Sequence, residues 1–223
     1  MLRTRGATMI EMLITTAVLA VVGSLSILLL SRTGRVTQRG TLMVEMQEQA
    51  QVALTRISDD MRRSCCEGVS TRSAAQPHAL CICPTSRPDL RPGEPPPVKS
   101  EDGSLRWSSF FQFYYHDNQS QELRYREWPN GSVDAIGEET NIAKPRRLSP
   151  DRIRDILDGT GSNERRLATG VVAMNLIYPS GGGDGFYVQP LTIELKLERQ
   201  GAIDSPNPER FTLSKSVFLT QQK

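Results

Sequence analysis

Residues 3–30 read Arg-Thr-Arg-Gly-Ala-Thr-Met-Ile-Glu-Met-Leu-Ile-Thr-Thr-Ala-Val-Leu-Ala-Val-Val-Gly-Ser-Leu-Ser-Ile-Leu-Leu-Leu. Two arginines precede Gly6, and from Ala7 to Leu30 the only charge is Glu11. As a helix, residues 7–30 would rise about 36 Å at about 1.5 Å per residue, enough to cross a hydrocarbon layer of about 30 Å with some tilt. Arg3 and Arg5 ahead of the run, with no base inside it, predict an N-terminus on the cytoplasmic side. Glu11 is the anomaly. A carboxylate at the start of a span is costly enough to imply a task rather than drift. A secretory signal would carry no such Glu and would be followed by a small-x-small cleavage site, which is absent after Leu30. The first cysteine is Cys65, so a lipoprotein route fails too.

A Gly before an apolar helix and a Glu at the fifth residue after it resemble the processing signal of type IV prepilins and type II secretion pseudopilins. That resemblance implies cutting between Gly6 and Ala7 by a membrane-embedded prepilin peptidase, with N-methylation of Ala7. It assigns Glu11 to subunit assembly. Ala7 stands where the family usually has Phe. The resemblance also implies a single-pass protein of a bacterial inner membrane, cytoplasmic at its N-terminus, with its globular part in the periplasm.

The rest of the chain divides into an amphipathic continuation at 31–63, a Cys- and Pro-rich loop region at 64–104 and a β-rich region at 105–223, after a leader at 1–6 and a span at 7–30. Arg3, Arg5 and Glu11 are the only charges before Ser31, so the remaining charges of a chain with 27 basic and 25 acidic residues nearly cancel. Neither that balance nor an aromatic content of 6% suits a nucleic-acid surface.

Val36, Met43, Met46, Ala50, Ala53, Leu54, Ile57 and Met61 recur at helical spacing, with Gln38, Arg39, Glu45, Gln47, Glu48, Gln49, Arg56 and Asp59 between them. With no proline before Pro77, one helix from Ala7 to about Arg63 is expected, with Gly34 and Gly40 as places to bend. Gln51, Ala53, Leu54, Ile57, Asp60, Met61 and Arg62 are similar to a pattern in the same helix of minor pseudopilin J and PilW-like minor pilins.

Cys65–Cys66 and Cys81-x-Cys83 are poor zinc knuckles by spacing, and His78 adds little. Outside the cytoplasm an even cysteine number favours two disulfides between the pairs, either 65–83 with 66–81 or crossed. Metal binding and free thiols stay open as alternatives. A vicinal bridge is disfavoured by geometry. Six prolines from Pro84 to Pro97 preclude helix or inner strand there.

Trp107–Tyr115 and Gln121–Trp128 read as a hairpin, and residues 130–170 as irregular apart from a short helix at Asp151–Leu157 capped by Ser149. Gly170–Tyr178 and Phe186–Arg199 read as paired strands around Gly181–Gly185, and Phe211–Leu219 closes the sheet. Leu191, Ile193, Leu195 and Leu197 alternate with polar residues, as a half-buried strand requires. The expected class is α+β, one long helix on an antiparallel sheet. Gly170, Val171, Met174, Leu176, Tyr178, Phe186, Tyr187, Pro190 and Leu191 resemble the corresponding strands of pseudopilin J.

His78 and His116 sit in no nucleophile motif, the glycine run lacks the Lys of a phosphate loop, and Asp59, Asp60, Asp158 and Asp184 lack the spacing of a calcium loop. No enzyme activity and no cofactor are expected. The resemblance implies a minor subunit near the tip of a secretion pseudopilus, with I-, K- and H-like minor subunits, the major pseudopilin, the prepilin peptidase and an inner-membrane assembly platform as partners. A PilW-like minor pilin that primes a type IV pilus is the nearest alternative. A membrane-anchored enzyme or receptor domain is the alternative of another class.

Overall fold

The computed structural model describes residues 8–73, 76–85, 110–128, 148–159, 164–178, 190–201 and 207–219. It opens on one helix, α1 (Met9–Arg62), 54 residues without interruption. Gly34 and Gly40, expected to bend or melt, stay helical. Past α1 the backbone tightens: Arg63 N–H donates to the carbonyls of Asp59 and Asp60, both at 3.2 Å, and Ser64 N–H to that of Met61 at 2.9 Å.

The chain forms two compact units. One comprises α1 up to Val44 with Gln200–Glu209, the other Glu45–Arg199 with the residues from Arg210 onward. The larger unit holds the core. Here α1 buries Met46, Ala50, Ala53, Leu54, Ile57 and Met61, a stripe at spacings of three and four. The expected stripe began ten residues earlier. Val36, 70% exposed, and Met43, 38% exposed, are not covered.

The strands are antiparallel where their register is defined, but they form two sheets rather than one. The first has β1 (Val69–Arg72), β2 (Ala79–Ile82), β3 (Phe111–Asp117), β4 (Glu122–Trp128) and β5 (Glu164–Thr169), in that order. The second has β6 (Val171–Ile177), β7 (Leu191–Arg199) and β8 (Glu209–Val217), again in order. Two corrections follow: part of 64–104 is strand rather than loop, and 130–170 contains β5.

Gly170 alone separates β5 from β6. Its φ of +69° is left-handed backbone, and a Cβ there would lie 2.8 Å from the Glu198 carbonyl oxygen. Only glycine lets the chain leave one sheet and enter the next in a single residue.

The aromatic runs at 111–128 form the expected hairpin. The Asp117 carboxylate closes its turn, accepting from Gln119 N–H at 3.0 Å and Ser120 Oγ at 2.7 Å. β3 is buried on both faces. Tyr114 joins Leu54, Ile57, Leu80 and Leu123 in the cluster shared with α1 and both sheets. Phe111, Phe113 and Tyr115 join a second cluster with α2 (Pro150–Asp158), which contributes Ile153 and Ile156. The helix α2 starts as expected, with Ser149 Oγ accepting from Arg152 N–H at 3.2 Å and Pro150 in the first turn. The molecule is α+β, a long helix packed on antiparallel sheet.

Candidate functional site

Gly6 and Ala7 lie outside the described residues, and the first turn of α1 begins beside them. Thr8 precedes the helix, and the Glu11 carboxylate reaches back to it. Thr8 N–H donates to Glu11 Oε2 at 2.9 Å and Thr8 Oγ1 donates to the same oxygen at 3.1 Å. An acid three residues into a helix thus satisfies a backbone donor that the helix cannot, and it lies at the positive end of the helix dipole. The Thr-x-x-Glu spacing of a capping box was legible at residues 8–11, and Glu11 read only as an assembly residue overlooks it.

The next twenty residues of α1 carry no charge. Their hydroxyls turn inward on the helix: Thr15 donates to the Glu11 carbonyl at 2.6 Å, Thr16 to that of Met12 at 2.9 Å and Ser26 to that of Val22 at 2.8 Å. Polar groups bonded in this way need no water. This stretch is long and apolar enough to cross a membrane, and none of its most apolar window is covered by the chain itself.

The cysteines do not form the expected bridges. Cys65, Cys66, Cys81 and Cys83 are all unbridged. Cys65, Cys81 and Cys83 belong to the apolar cluster beneath α2, with Phe111 and Phe113, whereas Cys66 packs against the cluster under α1. Cys66 is thus grouped apart from the other three thiols. The three clustered thiols behave as small apolar side chains. Burial, with the neighbouring Cys83, pushes the Cys81 thiol far up, so it is no thiolate nucleophile.

A buried polar contact ties α1 to the first sheet. Asp60, 7% exposed, accepts a hydrogen bond from the Tyr114 hydroxyl. Burial raises the Asp60 carboxyl above its ordinary range, although Tyr114, Arg63 and Arg56 all oppose that shift. The Arg56 guanidinium lies 4.3 Å from the centre of the Tyr125 ring. Burial and Glu127 push the Tyr125 phenol up to about 12.

At the hairpin turn, Arg124 gathers three carboxylates: Asp117 at 3.3 Å, Glu122 at 3.1 Å and Glu164 at 3.1 Å. Asp117 and Glu164, with Arg124 itself, edge a cleft of about 440 Å³ that Tyr115, Asn118 and Asp158 also line. Each of these three acids already faces a guanidinium, so the cleft presents no carboxylate pair poised for acid–base work. Among the described residues no three His, Cys, Asp or Glu side chains are grouped to hold a metal ion. Asp184 and Gly181–Gly185 lie outside them.

His78 and His116 have structural partners. His116 Nε2 lies 2.6 Å from the Val171 carbonyl and His78 Nδ1 lies 2.9 Å from that of Met174. A carbonyl only accepts, so both rings donate. Val171 N–H in turn donates to Gln121 O at 2.9 Å. A shift of register after Val171 puts an irregularity into β6 at this point. The two histidines thus stitch the first sheet to β6. No spacing in the sequence announced this, because the contacts join residues 55 and 96 positions apart.

No protein-family profile, no curated protein and no solved structure matches this chain.

Proposed function

We propose that this chain is a minor pseudopilin of the J-like kind, an inner-membrane subunit that helps form the tip of a periplasmic pseudopilus and primes its assembly for protein secretion. The observation that carries the reading is the first turn of an uninterrupted helix. Glu11 stands at the head of a twenty-residue apolar run, five residues after Gly6, and the far end of the same helix packs into an α+β core. An enzyme or receptor anchored by one span would need neither Gly6 nor Glu11.

In this mechanism the prepilin peptidase cuts after Gly6 and frees the Ala7 amine. Spans of neighbouring subunits then stack, and the amine of one meets the Glu11 carboxylate of another. In apolar surroundings an unpaired charge is costly, so the pair fixes the axial register of the stack. Thr8 holds the Glu11 side chain in place until that partner arrives. I-, K- and H-like subunits and the major pseudopilin would supply the neighbouring spans.

The test is the N-terminus. Mass spectrometry of the protein purified from membranes of cells that carry the peptidase should find Ala7 first, with or without a methyl group. An intact Met1, or cleavage beyond residue 25, would overturn the proposal.

A further inference from the structure

Glu11 and Arg32 bracket the uncharged part of α1, twenty residues that rise about 30 Å, the thickness of a hydrocarbon core. Beyond Arg32 the helix continues unbroken, and its next charges are Arg35 and Arg39. No acidic residue of α1 follows until Glu45. At about 100° per residue, positions 32, 35 and 39 fall within about 60° of one another around the helix. All three side chains are exposed.

The three arginines differ in height. Arg32 and Arg35 lie about 3 and 8 Å beyond Leu30, within the headgroup zone of a bilayer, whereas Arg39 lies about 13 Å beyond it. At that outer level Arg39 has a protein partner, since its Nε is 3.0 Å from Glu209 Oε1. Arg32, at the level of lipid phosphates, has no charged partner among the described residues.

We propose that Arg32 and Arg35 form a collar that binds the phosphates of anionic phospholipids in the extracytoplasmic leaflet and holds the subunit at a fixed depth before assembly. A guanidinium matches phosphate through two parallel N–H bonds, which suits arginine better than lysine. The collar rests on the reading of residues 7–30 as a membrane span.

The test uses the full chain in nanodiscs of mixed phosphatidylglycerol and phosphatidylcholine, with native mass spectrometry to count the lipids retained on the released protein. Phosphatidylglycerol should be retained over phosphatidylcholine by at least about fivefold, the effect of one well-placed arginine. The double variant Arg32→Gln with Arg35→Gln should lose that preference, and Arg62→Gln, at the far end of α1, should keep it. Equal preference in the double variant would overturn the collar. So would displacement of the lipid by millimolar inorganic phosphate, which would assign the site to a free anion. Alkaline carbonate separates the two levels of the argument. Release of the chain from vesicles would overturn the span and the collar together, whereas a chain that stays embedded without lipid preference overturns the collar alone.

Discussion

The two halves of α1 obey different rules although the helix joining them has no break. From Met9 to Leu30 its large apolar side chains lie on every face and are exposed, as with Leu25 at 56% and Leu19 at 69% exposure. From Glu45 onward the apolar residues other than the exposed Val52 occupy one stripe, and Leu54 and Ile57 are buried by strands of the same chain. The second half is stabilised by its own fold. The first has an apolar surface that the described residues do not cover, as suits contact with lipid or other helices.

The sharpest break in that comparison is the same substitution made in each half. Leu54→Ala should destabilise the protein by about 3 kcal/mol, the usual cost of a buried Leu truncation that leaves a cavity. Leu25→Ala should leave the unfolding midpoint of the detergent-solubilised full chain unchanged, because the chain makes no cavity there. Urea titration of both variants measures the difference. A comparable loss for Leu25→Ala would mean that the first half is packed after all.

Next in size is the turn that lets the covered half be covered. Thr169 and Arg199 flank Gly170 and its neighbour Glu198, and both bond the Gln49 side chain of α1: Thr169 N–H at 3.2 Å and Arg199 Nη2 at 3.0 Å. The backbone is pinned there, because Glu198 N–H donates to Gly170 O at 2.7 Å. Gly170→Ala should cost about 2 kcal/mol from left-handed strain and the carbonyl clash together, again read by urea titration. Wild-type stability would show that the two sheets can part without rearrangement.

The uncovered half is probed by assembly rather than by stability. Glu11→Leu should leave membrane levels and cleavage at Gly6 intact. On the proposed assembly, incorporation into sheared fibres should fall at least about tenfold, since a neighbour's amine would lose its partner in apolar surroundings. For the minor subunit proposed above, present in few copies, secretion is the more sensitive readout. Normal incorporation and secretion would reduce Glu11 to the cap of its own helix, held by Thr8.

Much of this contrast was legible in residues whose partners are near in sequence. The uncharged run, the stripe from Met46 to Met61, the aromatic hairpin and the Ser149 cap all follow from local periodicity and spacing. What stayed hidden depends on which face a residue meets. Val69–Arg72 and Ala79–Ile82 are buried at every position, so they lack the alternation that marks a strand with one wet face. β5 carries Glu164, Arg165 and Arg166 exposed, and pairing with β4 holds it in place rather than any apolar pattern. The cysteine arithmetic failed for a related reason. Cys81 and Cys83, two apart along extended chain, share one face, while the adjacent Cys65 and Cys66 part to different clusters. At the candidate site Gly6, Ala7 and Glu11 were singled out by pattern, whereas Arg32 and Arg35 were not.

The smallest expected effect concerns the seam beneath the covered half. His116 is buried and neutral, with Nε2–H committed to the Val171 carbonyl and Nδ1 without a partner among the described residues. Burial holds its pKa below the ordinary value of 6.5, with His78 also lowering it, while the Val171 bond and Asp117 pull the other way. A second proton would place an unmatched N–H at Nδ1 inside the fold. The unfolded chain therefore binds a proton in a range where the folded chain does not, so stability falls as pH drops through 6.5 and stops falling below the depressed folded value. Asp60 works in the opposite sense, since burial raises its carboxyl, and a protonated Asp60 favours the folded state at more acidic pH. Urea midpoints of the full chain in detergent should therefore decline from pH 7.5 to pH 5.5, and His116→Gln, though less stable throughout, should flatten that slope. The first half of α1 carries no histidine, so the substitution should leave membrane insertion unaffected at either pH. An unchanged slope in the variant would place the titrating group elsewhere and leave the His116 seam without a pH-dependent role.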